Sequence, residues 1–142
     1  MLGGKWTYRS YLNDPVLVDG DEKKALALIF GEGVFEFSPA GHDRFHGRLD
    51  MGSGFALTLE GRVTRSHGGE SYAIVGEGID GTPTAGWRYD YHCAPGYHWP
   101  NGVDQVPSLV GTVIRVKAHG PNSPAGFTAS FIAIRQPEAK AA

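Results

Sequence analysis

The side chains best suited to chemistry gather between Trp87 and Trp99. In Trp87-Arg88-Tyr89-Asp90-Tyr91-His92-Cys93, the alternation of an extended chain puts Trp87, Tyr89 and Tyr91 on one face and Arg88, Asp90 and His92 on the other. Aromatic rings bring large apolar area, and the tyrosine hydroxyl and indole N–H add a polar tip that orients a guest by a hydrogen bond. One reading of the aromatic face is a pocket wall; the plainer one is a core strand with hydroxyls at its rim. Proton transfer would require a titratable group shifted by burial beside an apolar cavity. Glu36, Asp90 and His98 are residues of that kind, and Tyr91 or His98 is the group expected to move a proton if the protein is an enzyme.

After this strand comes the longest connection in the chain, Ala94 to Ser108, stiffened by Pro95, Pro100 and Pro107 with Tyr97, His98 and Trp99 between them. Loops beyond ~12–15 residues without structure of their own are uncommon and often serve as lids. Aromatic rings are costly to leave in water. The loop is therefore expected to fold over one mouth with Tyr97 or Trp99 turned inward, as a lid or as a plug that seals the core. His92, Cys93 and His98 include ligand types that zinc accepts. His92 and Cys93 point to opposite faces of one strand, and neither a Cys-x-x-Cys pair nor a His-Glu-x-x-His helix is present, so no metal is expected. His42, His46, His67 and His119 mostly flank predicted turns, where exposure is the default. Gly31-Glu32-Gly33 and Gly76-Glu77-Gly78 lack the third glycine and the following helix of a nucleotide fingerprint, and no Gly-x-Ser-x-Gly elbow occurs. Hydrolase and nucleotide-dependent activities are disfavoured, and no cofactor is expected.

These residues need a scaffold, and the composition points to strands. The chain has 142 residues, enough for one domain that buries roughly 68–70% of its unfolded surface. Its 21 Gly and 9 Pro are spread without collagen-like periodicity and must punctuate many short elements. Alternating runs recur at Lys5–Leu12, Phe45–Met51, Phe55–Val63, Tyr72–Gly78, Trp87–Cys93, Leu109–His119 and Phe127–Arg135. The apolar runs Ala25–Phe30 and Val34–Phe37, separated by Gly31-Glu32-Gly33, read as paired or bent strands. The polar segment between Asn13 and Lys24 reads as a solvated loop in which Asp19 to Lys24 could open one helical turn. The prediction is an all-β, single antiparallel up-and-down barrel of eight to nine strands over residues 1–135, with a flexible tail at 136–142. Closure removes exposed strand edges; a two-sheet sandwich is the structural rival.

Charge narrows the partners. The net charge is −2, with 13 basic and 15 acidic residues scattered singly, so nothing resembles a stripe for nucleic acid. The longest apolar run, Ala25 to Phe30, is far short of the ~20 residues of a membrane span, and the N-terminus lacks a signal-peptide layout. A cytoplasmic protein is expected. Its lone Cys93 forms no internal disulfide.

Gly4-Lys5-Trp6 resembles the Gly-x-Trp opening of the calycin superfamily, the lipocalins and avidins, and Arg135 stands where a lipocalin Arg would lie across that Trp. Asp90-Tyr91 is similar to part of the lipocalin Thr-Asp-Tyr motif, with Tyr89 in place of the Thr. The resemblance implies a lipocalin-like barrel, with Trp6 and Arg135 closing one end by a cation–π contact. Similar barrels occur among allene oxide cyclase-like enzymes. The expected function is binding or carriage of a small hydrophobic molecule inside the barrel, lined by Tyr8, Phe37, Leu59, Tyr72, Trp87, Tyr89 and Tyr91 and covered by Tyr97 and Trp99. The alternative is a cofactor-independent isomerase, cyclase or hydratase using the same cavity. A barrel filled solid, working through its outer surface, is the structural reading. Pairing through an outer face into a homo-oligomer is a further expectation.

Overall fold

Period-two patterning sets the architecture. In a computed structural model, which describes residues 2–138, Leu57, Leu59 and Val63 turn inward while Thr58, Glu60 and Arg62 face water. The same alternation runs through β1 (Gly4–Leu12), β2 (Ile29–Pro39), β3 (Arg44–Asp50), β4 (Ala56–Ser66), β5 (Gly69–Gly78), β6 (Arg88–Pro95), β7 (Ser108–Arg115) and β8 (Thr128–Arg135). Each strand pairs antiparallel with the next, and β8 returns to β1 in a register running from Trp6 opposite Arg135 to Leu12 opposite Ala129. Eight strands thus close an up-and-down barrel with no free edge.

The region after β1 departs from the sequence expectation. Ala25 to Ala27 lie in a helix, α1 (Glu22–Ala27), and only Ile29 and Phe30 of the first expected strand join Val34–Phe37 in one continuous β2. Two causes are visible. The Asp21 carboxylate accepts hydrogen bonds from the Lys23 and Lys24 N–H groups at 2.9 and 3.3 Å, a capping arrangement that starts the helix. Gly31 and Gly33 do not turn the chain; they sit opposite Ser10 and Tyr8 on β1, where Gly31 leaves room for the Ser10 hydroxyl and Gly33 for the close approach of the Asp50 backbone on β3. The strand expected over Leu109–His119 also ends early, at Arg115, where Gly126 N–H bonds to Arg115 C=O at 2.7 Å and the chain turns back.

The interior is packed from the Trp6 end to past the midpoint. Phe35, Phe45, Phe131, Leu49, Leu57, Leu59 and Ile74 are almost wholly buried, and Phe35 touches the rings of Tyr8, Phe37, Tyr91 and Phe131. A Cβ at inward-facing Gly61 would overlap the Phe45 ring, so the missing side chain on β4 is what admits this phenylalanine. At the Trp6 end, the Arg135 guanidinium lies 5.8 Å from the Trp6 ring centroid, and the indole N–H donates to Gly3 C=O at 3.0 Å. Beyond β8, Gln136 N–H bonds to Lys5 C=O at 2.8 Å. Of the tail expected at 136–142, residues 139–142 lie outside the described residues. No helix among the described residues is long and apolar enough to cross a membrane.

Candidate functional site

The end of the barrel opposite Trp6 holds a cavity of about 480 Å³. Tyr8, Leu49, Leu57 and Tyr91 line its inner part, and Phe30, Met51, Trp87, Tyr89, Arg115 and His119 contribute to the rest of its wall. A register shift between Ser10 and Tyr11 on β1 frees Phe30 from strict alternation, and its ring stacks on Phe127 with centroids 5.3 Å apart. Trp87 is placed by the turn before β6. Buried Thr84 donates its hydroxyl to Ala56 C=O at 2.7 Å, and Thr84 C=O accepts from Trp87 N–H at 2.9 Å.

Tyr89 and Arg115 face each other across the β6–β7 ladder, both pointing inward. Arg115 Nε–H donates to the Tyr89 hydroxyl at 2.9 Å, and that hydroxyl lies 2.6 Å from Nε2 of His119. A guanidinium only donates, so the phenol accepts from Arg115; with His119 in its Nδ1–H tautomer, the phenol donates to Nε2. His119 reaches this position through a tight turn closed by His119 N–H to Ser123 C=O at 3.1 Å, with Gly120 at φ +111°. Its imidazole stacks on the Trp87 indole. Desolvation first, then the Arg115 charge, hold His119 below the usual imidazole pKa and favour its neutral form.

Arg115 is only 6% exposed. Its Nη1 donates to Pro124 C=O at 3.2 Å, and the rings of Phe30, Tyr89 and Phe127 surround its carbon at 5.4 to 5.6 Å. Among the described residues no carboxylate pairs with it. Deeper in, burial drives the Tyr8 and Tyr91 phenols above the normal phenol range, and neighbouring phenols reinforce the effect.

The sequence-derived site divides accordingly. Tyr8, Trp87, Tyr89 and Tyr91 line this cavity. Phe37, Leu59 and Tyr72 do not: they are packed core residues, and Tyr72 lies towards the Trp6 end with its hydroxyl on Glu70 at 2.6 Å. The Ala94–Ser108 connection lies at the Trp6 end as well, so it does not cover the cavity. Neither of its rings turns inward: Tyr97 is 71% and Trp99 65% exposed, and they pack edge-to-face on each other 4.7 Å apart. Tyr97 and His98 instead border a depression of about 520 Å³ beside Trp6 and Arg135.

Of the two residues expected to move a proton under the alternative, Tyr91 lies inside the barrel and His98 is exposed at the other end. Glu36 and Asp90 face outward, Asp90 held by Arg88 at 3.1 Å. His92 is exposed and Cys93 buried, and among the described residues no metal-sized group of His, Cys, Asp or Glu forms. Arg115 and His119 were missed. A signal for Arg115 exists, since it shares the inward parity of Leu109 and Val113; His119 arrives by a turn whose path no periodicity encodes. No family model matches this chain, and no curated protein or solved structure matches it either.

Proposed function

We propose that the protein binds a small, largely apolar molecule in the cavity at the Tyr89 end of the barrel, as a carrier or sequestering protein. The observation that carries this reading is the cavity itself: about 480 Å³ walled by Phe30, Leu49, Met51, Leu57, Trp87 and Tyr91, with polar groups concentrated at Tyr89, Arg115 and His119. That is the usual makeup of a small-molecule site, an apolar wall with a few placed polar groups. The closed eight-strand barrel and the Trp6–Arg135 contact support a calycin-like relationship. A cytoplasmic setting suits the buried thiol of Cys93, pushed up by desolvation to about 12 and so poorly reactive.

Mass spectrometry of protein purified from its native source under non-denaturing conditions tests the proposal. A co-purifying apolar compound supports it. Protein that carries no compound and shows no saturable uptake of the apolar fluorophore 1-anilinonaphthalene overturns it.

The hydrogen bond between Tyr89 and His119 favours a second reading, in which the same cavity hosts proton transfer without a cofactor. Tyr89 would meet the substrate, its oxygen taking a proton as its own passes to Nε2 of His119, the base. Conversion of the co-purified compound to an isomer during incubation, lost on His119→Gln, is the result that selects this reading over carriage.

A further inference from the structure

We infer that the bound molecule carries a carboxylate, seated against Arg115, with its apolar body running inward along Leu57 and Tyr91. The inference rests on the cavity being a ligand site, as proposed above, and adds the chemistry of the guest.

A buried cation is costly unless it is paired and hydrogen-bonded. Arg115 lies in the cavity wall, almost fully buried, and no side-chain carboxylate among the described residues meets it. The one carboxylate among the lining residues, Glu32, is exposed on the outer face and belongs to Arg9 at 3.6 Å. Within the protein, the Arg115 guanidinium uses Nε–H on Tyr89 and one Nη1 donor on Pro124 C=O, and the Nη2 donors meet no protein acceptor among the described residues. The three surrounding rings offset part of the desolvation cost through their faces but accept no strong hydrogen bond.

What the site lacks is a single negative charge with oxygens that fit a planar fork, which describes a carboxylate. A neutral His119 beside it adds no second positive charge, so a singly charged head matches better than a doubly charged phosphate monoester. Carboxylate binding would also remove the repulsion that Arg115 exerts on protonated His119 and raise the imidazole pKa.

Calorimetric titration of the whole protein at pH 8 with decanoate and with decanol, which share a chain and differ in the head, decides the matter. Decanoate is expected to bind at least about 10-fold more tightly than decanol, and in Arg115→Gln the ratio of the two affinities should fall to about one. Equal affinity of the two probes for the unsubstituted protein, or a preference that survives Arg115→Gln, overturns the carboxylate assignment and leaves the cavity as an apolar site. Binding of neither probe overturns both readings. Should Arg115→Gln fail to fold, the unsubstituted protein still decides by the head-group comparison, and a rise in the His119 pKa with decanoate but not with decanol, read by NMR, is the second measure. Absence of that rise counts against a carboxylate at Arg115.

Discussion

The imidazole of His119 lies flat on the indole of Trp87, with ring centroids 3.9 Å apart and 16° between the planes. These residues come from different turns, one leading into β6 and one following β7, and the stack joins them beside the mouth of the cavity. With Tyr89 on its Nε2 and Arg115 one hydrogen bond further along, His119 is placed where a positive charge is unwelcome. Its protonation therefore opposes the folded arrangement.

This gives a pH dependence with a definite sign. Since the folded pKa of His119 lies below the unfolded value of about 6.5, its contribution to stability is complete above about pH 6.5 and declines as pH falls towards the folded pKa. Urea unfolding of the parent and of His119→Gln between pH 5 and 8 should show a shallower acid-side loss in the variant. Parallel curves would mean that His119 titrates normally.

A second expectation concerns Tyr91. Its shift comes from desolvation and from neighbouring Tyr8, Tyr89 and Asp90 charges, with no hydrogen bond contributing. Replacing a cavity-facing hydroxyl that has no hydrogen-bond partner among the described residues removes no bond, so Tyr91→Phe should change stability by less than about 1 kcal/mol, or raise it. A loss above about 2 kcal/mol in denaturant melts would show that the hydroxyl has a partner in the folded protein. The phenol should also stay protonated at alkaline pH: the rise in tyrosinate absorbance below about pH 11 is expected to be the same in the parent and in Tyr91→Phe.

The barrel was legible because alternation survives in almost every strand; Phe55–Val63 and Trp87–Cys93 differ from the observed β4 and β6 by a few terminal residues. Where local signals conflict, the reading failed. Gly31 and Gly33 look like turn residues, yet they are mid-strand positions that make room for the Ser10 hydroxyl on β1 and for the Asp50 backbone on β3, a tertiary requirement. The site was half legible for the same reason. Tyr89 and Tyr91 follow from strand parity, whereas His119 meets Tyr89 only because a turn of glycine and prolines folds back over the barrel, a path without a period. The misplaced lid came from treating aromatic content in a long loop as a sign of burial, although nothing in that loop says which end of the barrel it serves.

Packing on the other side of the interior supplies a third test. A methyl group at Gly61 would collide with Phe45, whose ring also packs on Phe37 and Tyr72 and has little room to withdraw. Gly61→Ala should cost about 1–3 kcal/mol, and adding Phe45→Leu should recover part of that loss because the shorter side chain clears the space. Strict additivity in a double-mutant cycle would show that the two positions do not meet.

A fourth test addresses the Trp6 end. Trp6→Ala removes a buried indole and should cost about 3–5 kcal/mol, whereas Arg135→Met keeps the apolar stem over the ring and should cost about 1 kcal/mol, the scale of a partly exposed cation–π contact. Because Arg135 lies at the end away from the cavity lined by Tyr89 and Arg115, Arg135→Met should leave uptake of 1-anilinonaphthalene unchanged. Weakened uptake would place the binding site at the Trp6 end.

The last prediction separates the two ends kinetically. Were the Ala94–Ser108 connection a lid, removing its largest ring would speed ligand exchange; in the structure Trp99 is exposed, packs on Tyr97, and belongs to the end away from Tyr89, Arg115 and His119. Trp99→Ala should therefore leave the dissociation rate of a bound fluorophore unaltered and stability within about 0.5 kcal/mol. Phe30→Ala should speed dissociation several-fold, because Phe30 lines the cavity and its stack with Phe127 braces the ring beside Arg115. Stopped-flow displacement measures both rates. Faster exchange in Trp99→Ala with no change in Phe30→Ala would reverse the assignment of the mouth and locate the guest under the Trp6 end.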